Sequence, residues 1–133
     1  IYPQHQAVYA SFINPPMTAR GHNLAFRLYE YDDEKVVDWT TFGLNVAECN
    51  EKRQYLWKKL YSAKEEYGLQ DCSLPSLEQF LDRLETDDDL WKKFYQHKAT
   101  EMGGSCTGSC RKNVICSMRT FNTADFEKCK NDN

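Results

Sequence analysis

This 133-residue chain has no long apolar segment, no basic excess and no N-glycosylation sequon. No apolar run approaches the roughly 20 residues that a membrane-spanning helix needs, so the sequence predicts no such helix. Its 17 Lys and Arg against 20 Asp and Glu give a net charge of −3, which argues against nucleic-acid binding. Without a sequon, glycosylation gives no support for a secretory route. A hydrophobic fraction of 41% can still form a core, and the length suits one domain.

The chain also begins without an initiator Met and without a signal segment, at Ile1. We therefore expect a processed product or an excised piece of a longer protein. Six cysteines are many for a cytosolic protein of this size, and their even number suggests disulfides formed in an oxidising compartment. The sequence accordingly predicts a secreted or lysosomal protein.

The first third of the chain has the patterns of β-strands. An apolar and aromatic run over 7–13 predicts a short strand that ends before Pro15. Alternating residues over 24–31 and an apolar run over 36–42 predict two strands joined as a hairpin. Because a hairpin and a lone strand do not make a stable sheet, we expect a larger sheet whose other strands lie outside this chain.

The alternation over 24–31 predicts which side chains of that strand are buried. Leu24, Phe26 and Leu28 are expected to face the core, and Arg27 and Tyr29 the opposite side. Arg27 then has two interpretations. It is either an ordinary solvated arginine of a strand or a structural residue that forms an ion pair with the missing part of the sheet.

The rest of the chain has the 3.6-residue periodicity of helices. Three Asp residues at 87–89 fit the first turn of a helix, where carboxylates interact favourably with the helix dipole, and this explanation is preferred to a cation site. The predicted helices are one over 55–67 that ends at Gly68, one capped by Ser76, one capped by Thr86, and two short ones near 107–119 and 123–130. The predicted fold class is α+β, mainly α, with terminal strands over 1–46 and a helical subdomain over 47–133.

The cysteines of the C-terminal tail have two interpretations. The simplest is a pair of disulfides, Cys106–Cys110 and Cys116–Cys129, which would staple the short helices and contribute roughly 2–3 kcal/mol each. The alternative is a four-thiolate zinc site, which the lack of paired Cys-x-x-Cys knuckles argues against. Cys49 and Cys72 flank the first predicted helix, and their pairing, Cys49–Cys72, requires the flanking loops to fold back.

No complete active site is visible in the sequence. The three histidines are scattered at His5, His22 and His97, which does not suggest a metal site. The chain has no glycine-rich phosphate loop and no arrangement typical of a nucleophilic hydrolase. We therefore expect no catalytic and no metal-binding residue in this chain.

Several motifs, taken together and in order, resemble the acid sphingomyelinase and sphingomyelinase-like phosphodiesterase family. The stretches at 24–32 and 37–45 resemble the end of that family's catalytic region. Residues 57–69 are similar to its Trp-x-x-x-Tyr-x-Ala-x-Glu-x-Tyr-Gly-Leu segment, and the last four cysteines match the spacing of two C-terminal disulfides in the family. The resemblance covers nearly the whole chain.

The resemblance implies a calcineurin-like αββα sandwich, of which this chain would supply the last strands and the C-terminal helical subdomain. It also implies two zinc ions held by residues upstream of the chain, so that zinc is expected in the parent enzyme and no cofactor is expected on this chain. The loop over 14–23 matches a stretch that approaches the catalytic cleft, which makes Thr18, Arg20 and His22 candidates for substrate contact.

The leading hypothesis is therefore the C-terminal part of a zinc-dependent phosphodiesterase that cleaves substrates such as sphingomyelin. This chain would be scaffold and cleft wall, inactive alone, with the N-terminal catalytic portion of the same precursor as its partner, a lipid or membrane surface as a further candidate partner, and no nucleic acid. The alternative is a stand-alone secreted, disulfide-rich helical binding protein for a small ligand, lipid or protein. An exposed aromatic face over the N-terminal strands would favour the first hypothesis, and an apolar pocket within the helices the second.

Overall fold

The computed structural model describes residues 9–18 and 21–132, in which a small antiparallel sheet precedes a set of helices. The fold class is α+β, mainly α, as predicted. No helix in these two ranges is long and apolar enough to cross a membrane. In chain order the elements are β1 (Leu24–Asp32), β2 (Lys35–Leu44), α1 (Val46–Lys52), β3 (Trp57–Ser62), α2 (Ala63–Tyr67), α3 (Leu74–Thr86), α4 (Asp88–Lys98), α5 (Ser109–Arg119) and α6 (Thr123–Asn131).

The predicted hairpin is confirmed as strands β1 and β2. The two strands pair antiparallel from Leu24 opposite Leu44 to Asp32 opposite Lys35. The turn between them contains Asp33 with φ 51°, a left-handed conformation that Asp tolerates better than most residues. The sheet order β1-β2-β3 makes β1 and β3 the edge strands.

The predicted strand over 7–13 is wrong for residues 9–13, which have no strand pairing; residues 7 and 8 lie outside the described residues. The segment over 9–18 instead follows β1 mainly through side chains. The Phe12 ring contacts the rings of Tyr29 and Trp39, with centroids 5.8 and 5.6 Å away. Its backbone reaches β1 where the Pro16 carbonyl accepts a hydrogen bond from the Ala25 amide, at 3.1 Å.

The predicted helix over 55–67 is mostly wrong. Residues 57–62 form β3, which pairs antiparallel with β2 and places Tyr61 opposite Thr41; only the five residues of α2 are helical. Tyr61, Ala63 and Tyr67 all point into the core. Because β3 runs directly into the short helix α2, the spacing of these three residues in the sequence resembles that of the apolar face of one helix. Gly68 ends α2 with φ 61°, as its position predicted.

The helix caps differ from the predictions by a few residues. The N-cap of α3 is Ser73 rather than Ser76, and the proline that follows in the first turn needs no amide partner there. The N-cap of α4 is Asp87 rather than Thr86, because the Asp87 carboxylate accepts the amides of Asp89 and Leu90. The first helix, α1, was not predicted; Asn45 caps it by accepting the amide of Glu48 at 3.0 Å.

The helices cover the face of the sheet opposite to the one predicted from alternation. Ala25 is buried on this helix-covered face, where the half-buried Arg27 and Tyr29 also lie, whereas Leu28 on the other face is exposed. The predicted orientation was wrong because Ala25, Arg27 and Tyr29 fit beneath the core, while Leu24 and Phe26 remain half-buried on the outer side. The core itself joins the sheet to α2, α3, α4 and α5 through Trp39, Tyr61, Ala63, Tyr67, Leu84, Trp91 and Ile115.

The tail contains both expected disulfides. Cys106–Cys110 lies at the start of α5, and Cys116–Cys129 joins α5 to α6. These four sulfurs are therefore not available as zinc ligands. Cys49 and Cys72 are buried free thiols, so the additional bridge does not form. The sheet contains residues on both sides of position 46, and the division of the chain into 1–46 and 47–133 stays a prediction.

Candidate functional site

The surface most suited to interaction is the side of the sheet that the helices leave uncovered, which we call the outer aromatic face (Phe26, Leu28, Phe42 and Trp57). Strand register places Phe26 opposite Phe42, and their rings stack with centroids 5.4 Å apart. The Trp57 ring of β3 meets Phe26 edge-on at 5.0 Å. Leu28 is 56% exposed and Trp57 42% exposed. Phe26 and Phe42 are half-buried beside them, and a partly exposed apolar patch of this kind is typical of an interface.

On the covered face, Arg27 is held between the sheet and the segment over 9–18. Its Nη1 donates to the Ile13 carbonyl at 2.9 Å and its Nη2 to the Tyr61 hydroxyl at 3.4 Å. The guanidinium carbon lies 5.5 Å from the centre of the Trp39 ring, which is a cation–π distance. The Nε atom of Arg27 and the Nε1 atom of Trp39 are buried without a hydrogen-bond partner among the described residues. Arg27 is thus half-buried, and no carboxylate within residues 9–18 and 21–132 forms an ion pair with it.

Beside Arg27 is an open cavity of about 330 Å³, which we call the Arg27 cavity. Its floor is the sheet, at Arg27, Trp39 and Tyr61, and its walls are the segment over 10–16 and side chains of α2, α3, α4 and α5. Ile13 and Phe121 line its opening and are 82% and 62% exposed. The lining is mostly aromatic and aliphatic, so the cavity suits an apolar group.

His97 closes one side of the Arg27 cavity. Its ring stacks on Tyr61 with centroids 4.0 Å apart. Its Nδ1 lies 2.7 Å from Glu101 Oε1 and its Nε2 lies 3.4 Å from Glu66 Oε1. These two carboxylates therefore interact with His97.

Tyr67 is a second titratable group of the cavity wall. Burial raises the pKa of its phenol well above the ordinary value, and the neighbouring Tyr61 adds to the increase. The phenol is therefore neutral at physiological pH and serves as packing surface, with its ring 5.0 Å from Phe80.

The predicted substrate-contact residues do not form a cluster with Arg27. Thr18 and His22 are exposed and do not line the cavity, and Arg20 lies outside the described residues. The loop near His22 is anchored by Asn23, which is buried. The Asn23 amide group donates to the Thr100 carbonyl at 3.0 Å and accepts from the Val46 amide at 3.2 Å. Sequence reasoning missed Asn23, whose only signal was its position directly before a strand.

The free thiols and acidic clusters offer no metal site in residues 9–18 and 21–132. No group of three His, Cys, Asp or Glu side chains there is arranged to hold a metal ion. Burial raises the pKa of the Cys72 thiol to about 11, with smaller contributions from Asp38 and Asp71, so that it is protonated at neutral pH. The Asp cluster at 87–89 caps α4, as described above, and Asp88 pairs with Arg111 of α5.

Comparison with known proteins gives consistent matches. A family profile described as the acid sphingomyelin phosphodiesterase C-terminal region matches residues 6–133. Sphingomyelin phosphodiesterase 1 of Caenorhabditis elegans is 32% identical over 100 residues, which cover 73% of this chain and 18% of that protein. Sphingomyelin phosphodiesterase A of Dictyostelium discoideum is 24% identical over 90% of this chain and 21% of its own length. Human acid sphingomyelinase-like phosphodiesterase 3b is 26% identical over 86% of this chain and 26% of its own. The chain therefore spans about a fifth to a quarter of these relatives.

Proposed function

The chain belongs to the family of acid sphingomyelin phosphodiesterase C-terminal regions, and from this premise we propose that it is the scaffold and cleft wall of a larger phosphodiesterase. The reaction proposed for the whole protein is hydrolysis of a phosphodiester such as sphingomyelin, to ceramide and phosphocholine. Two of the relatives are named sphingomyelin phosphodiesterases, which supports sphingomyelin as the proposed substrate class.

The proposed partner is the N-terminal catalytic portion of the same precursor. The outer aromatic face carries this proposal, because it exposes apolar side chains on a sheet that has three strands in the part of the chain that the structure describes. The matched relatives are about four to six times longer than the segment they share with this chain, which leaves room for a preceding domain. A lipid surface is a further proposed partner of the whole enzyme.

Zinc is proposed as the cofactor of the parent enzyme. The described residues of this chain do not fit a zinc site, since no group of three metal-ligating side chains converges there. The ligands would then belong to the rest of the protein, and this chain alone would be inactive. Thr18, Arg20 and His22 stay proposed contacts at the edge of the cleft, through the loop that Asn23 anchors.

A secreted or lysosomal location is also proposed. Its support is the pair of disulfides in the tail, which fit folding in an oxidising compartment.

The docking role is tested in the full-length protein with a matched pair of variants. Leu28→Lys places a charge on the outer aromatic face, and Met102→Lys places one on an equally exposed apolar side chain after α4; the two residues are 56% and 57% exposed. We expect Leu28→Lys to lower the activity about tenfold and the melting temperature by a few degrees, because an unpaired ammonium would be buried at the interface. Met102→Lys should change neither. Equal behaviour of the two variants would contradict the docking proposal.

A further inference from the structure

Among the residues that the structure describes, the Arg27 guanidinium has no counter-anion. The Arg27 guanidinium has five N–H donors and uses two of them, on the Ile13 carbonyl and the Tyr61 hydroxyl. The nearby carboxylates Glu66 and Glu101 interact with His97 instead. A guanidinium that is partly withdrawn from water usually finds a carboxylate or phosphate, because its charge is otherwise poorly solvated.

A second donor on the cavity floor is also unpaired. Trp39 is 6% exposed, and its indole Nε1 has no partner among the described residues. The indole N–H is a donor only, so nothing except an acceptor can satisfy it. Arg27 and Trp39 both line the cavity and each has a buried donor without a partner among the described residues, and leaving a buried donor unpaired is unfavourable.

The cavity offers an apolar space next to these donors. Its volume of about 330 Å³ lies at the lower end of the range for small-molecule sites. Phe80 and Phe94 form its deep wall, and the exposed side chains of Ile13 and Phe121 surround its opening. An occupant that matches both features has an acidic head and an apolar body.

We propose that the Arg27 cavity binds a single-chain amphiphile with a carboxylate head. The carboxylate accepts hydrogen bonds from the free N–H groups of Arg27, a charge-assisted pairing for which guanidinium geometry is suited. The hydrocarbon body fills the space between the segment over 10–16 and the aromatic side chains of α3 and α4. This site is independent of the outer aromatic face, which lies on the other side of the sheet.

The proposal is tested by calorimetric titration of the full-length protein with four probes: dodecanoate, dodecanol, decyltrimethylammonium and acetate. We expect dodecanoate to bind at least about tenfold more tightly than dodecanol, because only the carboxylate pairs with Arg27. Acetate tests the head alone and decyltrimethylammonium tests a cationic head; neither should bind measurably.

Two sets of variants locate the site. Arg27→Gln should reduce dodecanoate affinity about tenfold and leave dodecanol unchanged. Because Arg27→Gln could impair folding, a second pair changes the exposed residue whose carbonyl Arg27 contacts. Ile13→Asp supplies an internal carboxylate and should abolish dodecanoate binding, whereas its neutral counterpart Ile13→Asn should retain it.

Three outcomes would overturn the proposal. The first two are equal affinities for dodecanoate and dodecanol, and equal dodecanoate binding by the Ile13→Asp and Ile13→Asn variants. The third is no dodecanoate binding at 1 mM probe, which is roughly the weakest affinity expected of a specific site. The last result, together with a large loss of stability in Arg27→Gln, would assign Arg27 to an ion pair with the rest of the precursor. None of these results depends on the phosphodiesterase activity.

Discussion

At the scale of single residues, a few buried polar side chains fix how the segments meet. Asp38 is buried within β2, and its Oδ1 accepts the amides of Trp39 at 2.8 Å and Lys64 at 3.0 Å. One carboxylate therefore orients β2 and satisfies an otherwise free amide in the first turn of α2. The buried Asn23 side chain likewise holds the loop before β1 in place, through its hydrogen bonds to the Thr100 carbonyl and the Val46 amide. Such residues explain why short elements hold their positions.

Burial also determines the chemistry of the two free thiols. Cys49 and Cys72 are both buried, and the pKa of Cys72 is raised to about 11. At pH 8 only about one Cys72 thiol in a thousand is then ionised, and only the thiolate is reactive. We predict that iodoacetamide at pH 8 modifies neither cysteine in the folded protein and both in urea, as measured by mass spectrometry.

A control thiol makes this prediction quantitative. Asn50→Cys introduces an exposed cysteine next to Cys49 on the same helix. Its thiol should be alkylated in the native state. Alkylation of Cys72 at the rate of this reporter would show that the site opens readily.

At the scale of elements, α1 and β3 are joined by a small ion-pair network. The carboxylate of Glu48 on α1 lies 2.8 Å from the Nζ of Lys52 on the same helix and 2.8 Å from the Nζ of Lys58 on β3. These hydrogen bonds hold the pKa of Glu48 at about 2, well below its ordinary value. Because the lowered pKa belongs to the folded state, the contribution of Glu48 is present above pH 4.5 and is lost as the pH falls towards 2.

We therefore predict a pH-dependent effect of Glu48→Gln. The variant should unfold at lower urea concentration than the wild type at pH 6, and the two proteins should converge as the pH approaches 2. Glu51→Gln, an exposed change on the same helix, provides the control and should follow the wild type throughout. A Glu48→Gln difference that stays constant with pH would contradict the ion-pair explanation.

The end of α2 depends on the left-handed conformation of Gly68. Its φ of 61° disfavours any residue with a Cβ atom, although the space there is open apart from the Arg83 guanidinium at 3.7 Å. We predict that Gly68→Ala lowers the free energy of unfolding by about 1 kcal/mol, from backbone strain alone. Gly104→Ala, at a position without positive φ and without close neighbours, should change it far less. Urea denaturation of both variants tests the difference.

Elements with strong local signals could be predicted from sequence. Elements whose conformation depends on pairing with a strand elsewhere in the chain could not. The β1–β2 hairpin, Gly68 and the tail helices follow from alternation, backbone freedom and capping. By contrast, Tyr61 and Tyr67 have helical spacing, but Tyr61 lies in β3 because strand β2 offers it a partner opposite Thr41. The Arg27 side of β1 was misassigned for a similar reason, since only the packed core decides which face of a half-polar strand is covered.

At the scale of the whole molecule, the chain has a well-formed core on one side of its sheet and an uncovered apolar face on the other. The site could be foreseen only in part: the sequence suggested an exposed aromatic surface, but the Arg27 cavity arises from side chains that come together from the segment over 10–16, all three strands and several helices. This arrangement is consistent with a piece that completes a larger protein, and the chain spans 18–26% of three relatives.

The strongest test at this scale is reconstitution from two polypeptides. If the proposed function is right, the proposed N-terminal catalytic portion and this 133-residue chain, coexpressed as separate polypeptides, should copurify as a complex that contains zinc and hydrolyses sphingomyelin. The chain purified alone should contain no stoichiometric zinc by elemental analysis and show no zinc-dependent turnover, since its described residues bring no three metal-ligating side chains together.

Leu28→Lys should weaken copurification, because it charges the face proposed to dock, and Met102→Lys should not. Zinc-dependent hydrolysis by the chain alone would place the catalytic residues within it and overturn the assignment of this chain as scaffold.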